Sequence, residues 1–169
     1  MKRTSSIKLV LCALCSALAT ITFMIENLFP SIAIPGARIG VSNVFILLAT
    51  ITLGGTYGYI TLTVKVLLGS IFSGNLFAVV YSLPAGIVAL TIELLALKFC
   101  RKISIICISV CGAVINSLIQ NATFCIITAT PEFLYYLPYL SLFSVLGGIT
   151  VGFAVFLIIK IVPNSLFGK

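Results

Sequence analysis

The chain has no histidine and no aspartate, and its 169 residues include only three acidic side chains, Glu26, Glu93 and Glu132. Without histidine the commonest general base and the commonest nitrogen ligand for metals are gone, so no catalytic residue, metal or cofactor is expected. Charged residues of either sign make up 8% of the chain, against roughly a quarter in a soluble domain. Too little charge remains to build a soluble surface. The composition is instead 61% hydrophobic, with a mean hydropathy of +1.31, which identifies an integral membrane protein. At roughly 20 residues per transmembrane helix there is room for about six spans joined by short loops. The expectation is an all-α integral membrane bundle forming a single domain over 1–169, with no separate ATPase, kinase or polymerase module.

The net charge of +7 does not imply nucleic acid, because of where the charges sit. Lys2, Arg3 and Lys8 precede the first apolar run, Lys98, Arg101 and Lys102 separate two later runs, and Lys160 and Lys169 close the chain. Basic clusters at the ends of apolar helices are topology signals. Apolar runs bounded by charges, Gly, Pro and Asn predict helices at 7–28, 42–54, 57–73, 76–99, 103–129 and 135–161. With six spans, all three basic clusters fall on one face, so both termini are expected in the cytoplasm. The second and third runs are short for full crossings, and a re-entrant hairpin competes with two spans there. The first run is too long for the apolar core of a secretory signal and is read as a retained membrane helix.

The six cysteines, Cys12, Cys15, Cys100, Cys107, Cys111 and Cys125, lie in or at the ends of apolar runs and are expected to be small buried hydrophobes. Ala13 and Ala17 stand one helical turn apart beside Ser16, spacing that lets a second helix approach closely. That second helix is either in the same bundle or in a partner. Gly148 and Gly152, next to Gly147, offer another such face, for which packing within the bundle is the stronger reading. Lys65 and Glu93 are the charges set inside apolar runs. Measured from their helix ends the two lie at similar depths, which favours an ion pair between them slightly over a role for Lys65 in binding a ligand; snorkelling to the headgroups is a third reading.

The most irregular segment runs from Pro30 to Asn43. Its prolines preclude a regular helix, Gly36 and Gly40 permit close backbone approach, and Ser42 or Asn43 is a candidate N-cap for the next helix. Arg38 is either a solvated turn residue or a fork for a carboxylate or phosphate. Asn116, Gln120 and Asn121 bring amides into the fifth run, where each needs a partner in another helix or in a ligand. Glu26, Asn27, Asn75, Tyr81 and the tyrosines Tyr135, Tyr136 and Tyr139 project near the same end, the tyrosines equally well as an interfacial belt.

The stretch Pro35-Gly36-Ala37-Arg38-Ile39-Gly40-Val41-Ser42-Asn43 resembles the signature of the Gx transporter family, small bacterial membrane proteins also labelled heptaprenyl diphosphate synthase component I. The resemblance covers essentially the whole chain. It implies kinship with the six-helix substrate-binding S components of energy-coupling factor (ECF) transporters, in which an Ala-x-x-x-Ala motif on the first helix docks a coupling subunit; Ala13 and Ala17 match that motif. It further implies a small-molecule solute captured beneath the first outer loop; the candidates that this sequence offers for the pocket are Arg38, Asn43, Gln120, Asn121 and, less strongly, Lys65. A transmembrane coupling subunit and ATPase subunits would act as partners in the lipid bilayer. Relatives are linked with isoprenoid, quinone or flavin functions. A second reading is a membrane accessory subunit of a heptaprenyl or polyprenyl diphosphate synthase. Chain elongation itself needs Mg²⁺ held by aspartate-rich motifs, and with no aspartate present this chain is not expected to catalyse it alone. A third reading is a secondary carrier using Lys65 and Glu93 as an ion-coupled pair.

Overall fold

The computed structural model describes residues 2–28, 40–99 and 103–162. Among these residues there are six α-helices and no strand: α1 (Lys2–Leu28), α2 (Asn43–Thr52), α3 (Gly55–Phe72), α4 (Phe77–Phe99), α5 (Ile105–Thr128) and α6 (Leu137–Ile161), with a 3₁₀ turn (Pro131–Tyr136) before the last. Four of them, α1, α4, α5 and α6, are long and apolar enough to cross a membrane. The helices follow the apolar runs because a backbone in hydrocarbon must satisfy its own polar groups, and an α-helix does so within one segment. Polar and conformationally special residues break the runs. Gly54 takes φ +114 between α2 and α3, which a side chain would oppose. Ser104 accepts the Ile106 N–H at 3.3 Å and opens α5 as its N-cap.

The second predicted span, 42–54, proves to be a helix of 10 residues. At 1.5 Å per residue it is ~15 Å long, about half the hydrocarbon thickness. With 18 residues, α3 reaches ~27 Å and runs parallel to α1. Cys12 contacts Tyr57, Ser16 contacts Thr61 and Phe23 lies against Gly69. Of the two readings left open for this region, neither fits entirely: α3 is close to a complete crossing, and α2 is a half-length helix antiparallel to it.

The helices pack as a ring in the order α1, α2, α6, α5, α4, α3 and back to α1, with α2 also touching α3. Since helices alternate in direction, the ends of α1, α3 and α5 share one end of the bundle with the starts of α4 and α6. Lys8, Lys98 and Lys160 lie at the opposite end. Small residues set the close approaches. A Cβ on Gly148 would stand 2.6 Å from Val110 Cα and one on Gly152 2.7 Å from Ile106 Cα, so this pair serves α5–α6 packing within the bundle. Large apolar side chains such as Leu142, Leu146 and Phe153 are exposed around the outside, as expected for a surface solvated by lipid.

The cysteines divide. Cys12 and Cys125 are buried, but Cys107 and Cys111 are exposed on the outer face of α5, contrary to the expected burial, because four-residue spacing keeps both on the stripe opposite the α5 core face. Cys100 lies outside the described residues.

Because backbone atoms of α5 block the space above Gly148, Gly148→Val should overpack the interface at a cost of about 1–3 kcal/mol. The expected result is a lower thermal unfolding midpoint in detergent than for the wild type, while Phe153→Leu on the exposed face leaves it nearly unchanged. Equal midpoints for the two variants would contradict the α5–α6 packing described.

A polar cavity enclosed by six helices

The cavity begins with the start of α2. The Glu26 carboxylate, near the end of α1, accepts the backbone N–H of Val41 through Oε1 and the Ser42 hydroxyl through Oε2, the latter at 2.9 Å. Ser42 occupies the N-cap position, but its side chain makes no capping bond. The first N–H groups of α2, on Asn43 and Val44, go to the carbonyls of Gly40 and Val41, while Glu26 holds the turn just before the helix and sets its negative charge at the positive end of the α2 dipole. Asn43, first residue of α2, turns its Oδ1 to the Lys65 ammonium, which donates to it at 2.7 Å. The same ammonium lies 5.3 Å from the centroid of the Phe23 ring. A lysine that is 5% exposed at this depth is stabilised by such contacts.

These groups form one wall of a cavity to which every helix contributes. Phe23 and Glu26 come from α1, Ser42 and Asn43 from α2, and Leu62, Lys65 and Val66 from α3. Ser82 and Gly86 of α4 and Leu140 and Ser144 of α6 line other sides. The largest contribution is from α5: Ala113, Asn116, Ser117, Gln120 and Asn121 recur at helical spacing along one face. Beneath lies a smaller cavity that shares Gly40, Asn43, Leu62, Gly86, Ala113 and Asn116 with the first and adds Glu93, Ser109 and Gly112. Measured to the centres of water molecules, the two offer about 70 and about 40 Å³. Since one water needs ~10–15 Å³ by that measure, each holds a few waters or part of a small solute.

Asn121 donates to the carbonyl of Ser117 at 2.8 Å and is buried. The side-chain amides of Asn116 and Gln120 make no hydrogen bond with any described residue, and both line the cavity. An amide left unpaired in an apolar medium is destabilised by several kcal/mol, so water or a solute must serve these two. The cavity is therefore built to hold polar atoms.

Asn43, Lys65, Gln120 and Asn121, four of the five residues singled out for a pocket, thus meet at one cavity. Arg38 lies outside the described residues. Lys65 and Glu93 do not pair. A Cβ on Gly55 would stand 3.0 Å from the Leu94 side chain, so Glu93 is level with the start of α3, whereas Lys65 is ten residues, ~15 Å, further along. Depths measured from helix ends misled because α4 extends beyond the start of α3. The snorkelling alternative fails too, since both side chains turn into the bundle. Ser82, Ser109, Gly112 and Ser117 were missed. The signal for them was a stripe of small and polar residues at three- and four-residue spacing, Ser82-Gly86-Ala89-Glu93 on one helix and Ser109-Gly112-Asn116-Gln120 on another.

Ala13 and Ala17 are exposed and line an apolar groove between α1 and α3, with Ile60, Val64 and Leu68 opposite. They are not consumed by packing within the bundle.

If Glu26 holds the start of α2, Glu26→Ala should speed hydrogen exchange at the Val41 amide by ~10-fold or more. Hydrogen bonds to a charged group contribute about 1.5–3 kcal/mol, and 1.4 kcal/mol is tenfold. Exchange unchanged at Val41 in the variant would show that the contact holds nothing in place.

No curated protein and no solved structure matches this sequence. A family model described as heptaprenyl diphosphate synthase component I matches residues 15–158. That match takes in α2 to α5, about half of α1, most of α6, and every described residue of both cavities, so this chain belongs to the heptaprenyl diphosphate synthase component I family.

Proposed function

We propose that this chain is a membrane solute-binding subunit, of the S-component kind, in an ECF-type ATP-driven importer. The observation that carries the reading is the pair of amides, Asn116 and Gln120, with no partner among the described residues and facing a cavity enclosed by all six helices. A structural polar network would satisfy its own members. One that leaves donors and acceptors open toward a cavity is suited to bind a solute. Asn43, Lys65, Gln120 and Asn121 line the site, with Asn116 added and Arg38 retained as a candidate from the adjoining loop.

Orientation follows from charge. Lys8, Lys98 and Lys160 mark the cytoplasmic end by the positive-inside rule, and the cavity, in the other half of the bundle, opens outward. Both termini are then cytoplasmic. The exposed Ala13 and Ala17 in the α1–α3 groove fit a helix of a coupling subunit, because small residues allow close helix approach in lipid. ATPase subunits would act through that subunit.

The family description favours a second reading, an accessory membrane subunit of a heptaprenyl diphosphate synthase. In that case the Mg²⁺-binding carboxylates belong to a soluble partner, since this chain has no aspartate. The two readings separate by what accompanies the purified protein: a small polar solute in one, a prenyltransferase in the other.

The test is native mass spectrometry of the full-length protein released from nanodiscs. A small-molecule adduct is expected on the wild type. Asn116→Leu combined with Gln120→Leu should weaken its retention by about tenfold or more, taking roughly 0.5–1.5 kcal/mol for each hydrogen bond lost. Ala13→Trp should leave the adduct in place and abolish capture by the coupling subunit. Absence of any adduct, together with co-purification of a prenyltransferase, would replace this reading with the second.

A further inference from the structure

Glu93 has no role in the capture site, yet it is the acidic residue set deepest within a membrane-length helix, six residues from the end of α4 where Glu26 is two from the end of α1. Its carboxylate turns inward and packs on α5 at Gly112. A Cβ there would lie 1.9 Å from Glu93 Oε1, so the glycine is what makes room for the carboxylate. Glu93 lines the lower cavity and makes no hydrogen bond or ion pair with any described residue. Lys65, the other charge set inside an apolar run, is ~15 Å away along the helix axis and donates to Asn43.

We propose that Glu93 forms a second subsite, which takes the nitrogen–hydrogen donor end of a dipolar solute whose acceptor end lies in the upper cavity near Lys65 and Gln120. This rests on the capture reading for the solute as a whole; the donor site itself does not. Ionised, the carboxylate only accepts hydrogen bonds, and in a membrane interior it keeps its charge only beside a partner of opposite sign. A primary ammonium or an amidine supplies both. The lower cavity, about 40 Å³ to water centres, fits a head group of that size. Asn43, Ser109 and Asn116 add polar atoms to walls that include Ile46, Leu47, Leu90 and Val151. Lys65 in the upper cavity repels a cation there and favours an acceptor. From Gln120 to Gly112 is eight residues of α5, ~12 Å, which sets the length of solute that engages both ends.

The test uses wild-type full-length protein in lipid nanodiscs, treated with dicyclohexylcarbodiimide, with modification located to Glu93 by peptide mass spectrometry and sodium chloride as the background salt. Methylammonium is the probe for the donor end. At about ten times its dissociation constant it should slow modification of Glu93 by ~10-fold, the mass-action factor for a site occupied that far. Tetramethylammonium, with the same charge and no N–H, and acetate should not protect. Gly112→Ala, which forces the carboxylate to move, should abolish protection by methylammonium. Three results would overturn the proposal: no protection by methylammonium, equal protection by tetramethylammonium, or a Glu93 that never reacts because it opens to no cavity. Capture of a whole solute is judged separately by the adduct measured above. Protection at Glu93 without an adduct would keep the donor site and remove the importer reading. An adduct without protection would do the reverse.

Discussion

The hold of Glu26 on the start of α2 is the interaction on which the arrangement depends. A helix of ten residues cannot span the hydrocarbon, so its first turn lies inside the bundle, where Asn43 and Val44 donate to the carbonyls of Gly40 and Val41 in the turn before it and that turn must itself be held. Glu26 accepts from Val41 and Ser42, and its charge matches the dipole of the helix it caps. Once α2 is held there, Asn43 meets Lys65, and the lysine has a place inside the membrane. The carboxylate and the ammonium do not contact each other directly. They are joined through the first turn of α2, which makes that turn part of the cavity wall.

Around this wall the other helices present their polar and small residues inward and their large apolar residues outward. On α5 the inward face runs from Ser109 to Asn121, and on α4 from Ser82 to Glu93. In a soluble protein this would be an inverted pattern. In lipid the outer face is the apolar one, and polar groups are placed where they find each other, water or a solute. The Asn116 and Gln120 amides gain nothing from their neighbours in the bundle, so a bound solute would offset the desolvation they bear. The outer face has its own division. Most of it is studded with large side chains, but the α1–α3 groove is lined by Ala13 and Ala17.

Several of these features are legible from residue order. Length and period of apolar runs place α1, α3, α4, α5 and α6 within a few residues of their structural bounds, α1 least well because its start runs on through Lys2–Ser6, since a helix in lipid ends where charges, Gly and Pro begin. The amides of α5 are visible because polar side chains are rare in such runs. The shortness of α2 is legible as well, a run of 42–54 against Asn43–Thr52, but what holds its start is not, because the contact comes from Glu26, sixteen residues before Ser42. The depth of Glu93 relative to Lys65 is likewise hidden, as it depends on the stagger between α3 and α4. That stagger comes from Gly55 against Leu94, Gly86 against Leu62, and the hydrogen bond of 2.7 Å between Tyr59 and Thr91.

Sequence by itself determined the solvent, the class of fold and the family: charges are few and clustered, and the apolar runs between them are continuous and of helix length, which suits a helical membrane bundle and not the short alternating strands of a barrel. Tertiary structure alone decided which polar residues meet. Hydropathy acts on each helix separately and is indifferent to its height beside a neighbour, whereas the close approach of small residues locks neighbouring helices at one height. That stagger gives Lys65 to Asn43 and leaves Glu93 facing Gly112 in the lower cavity.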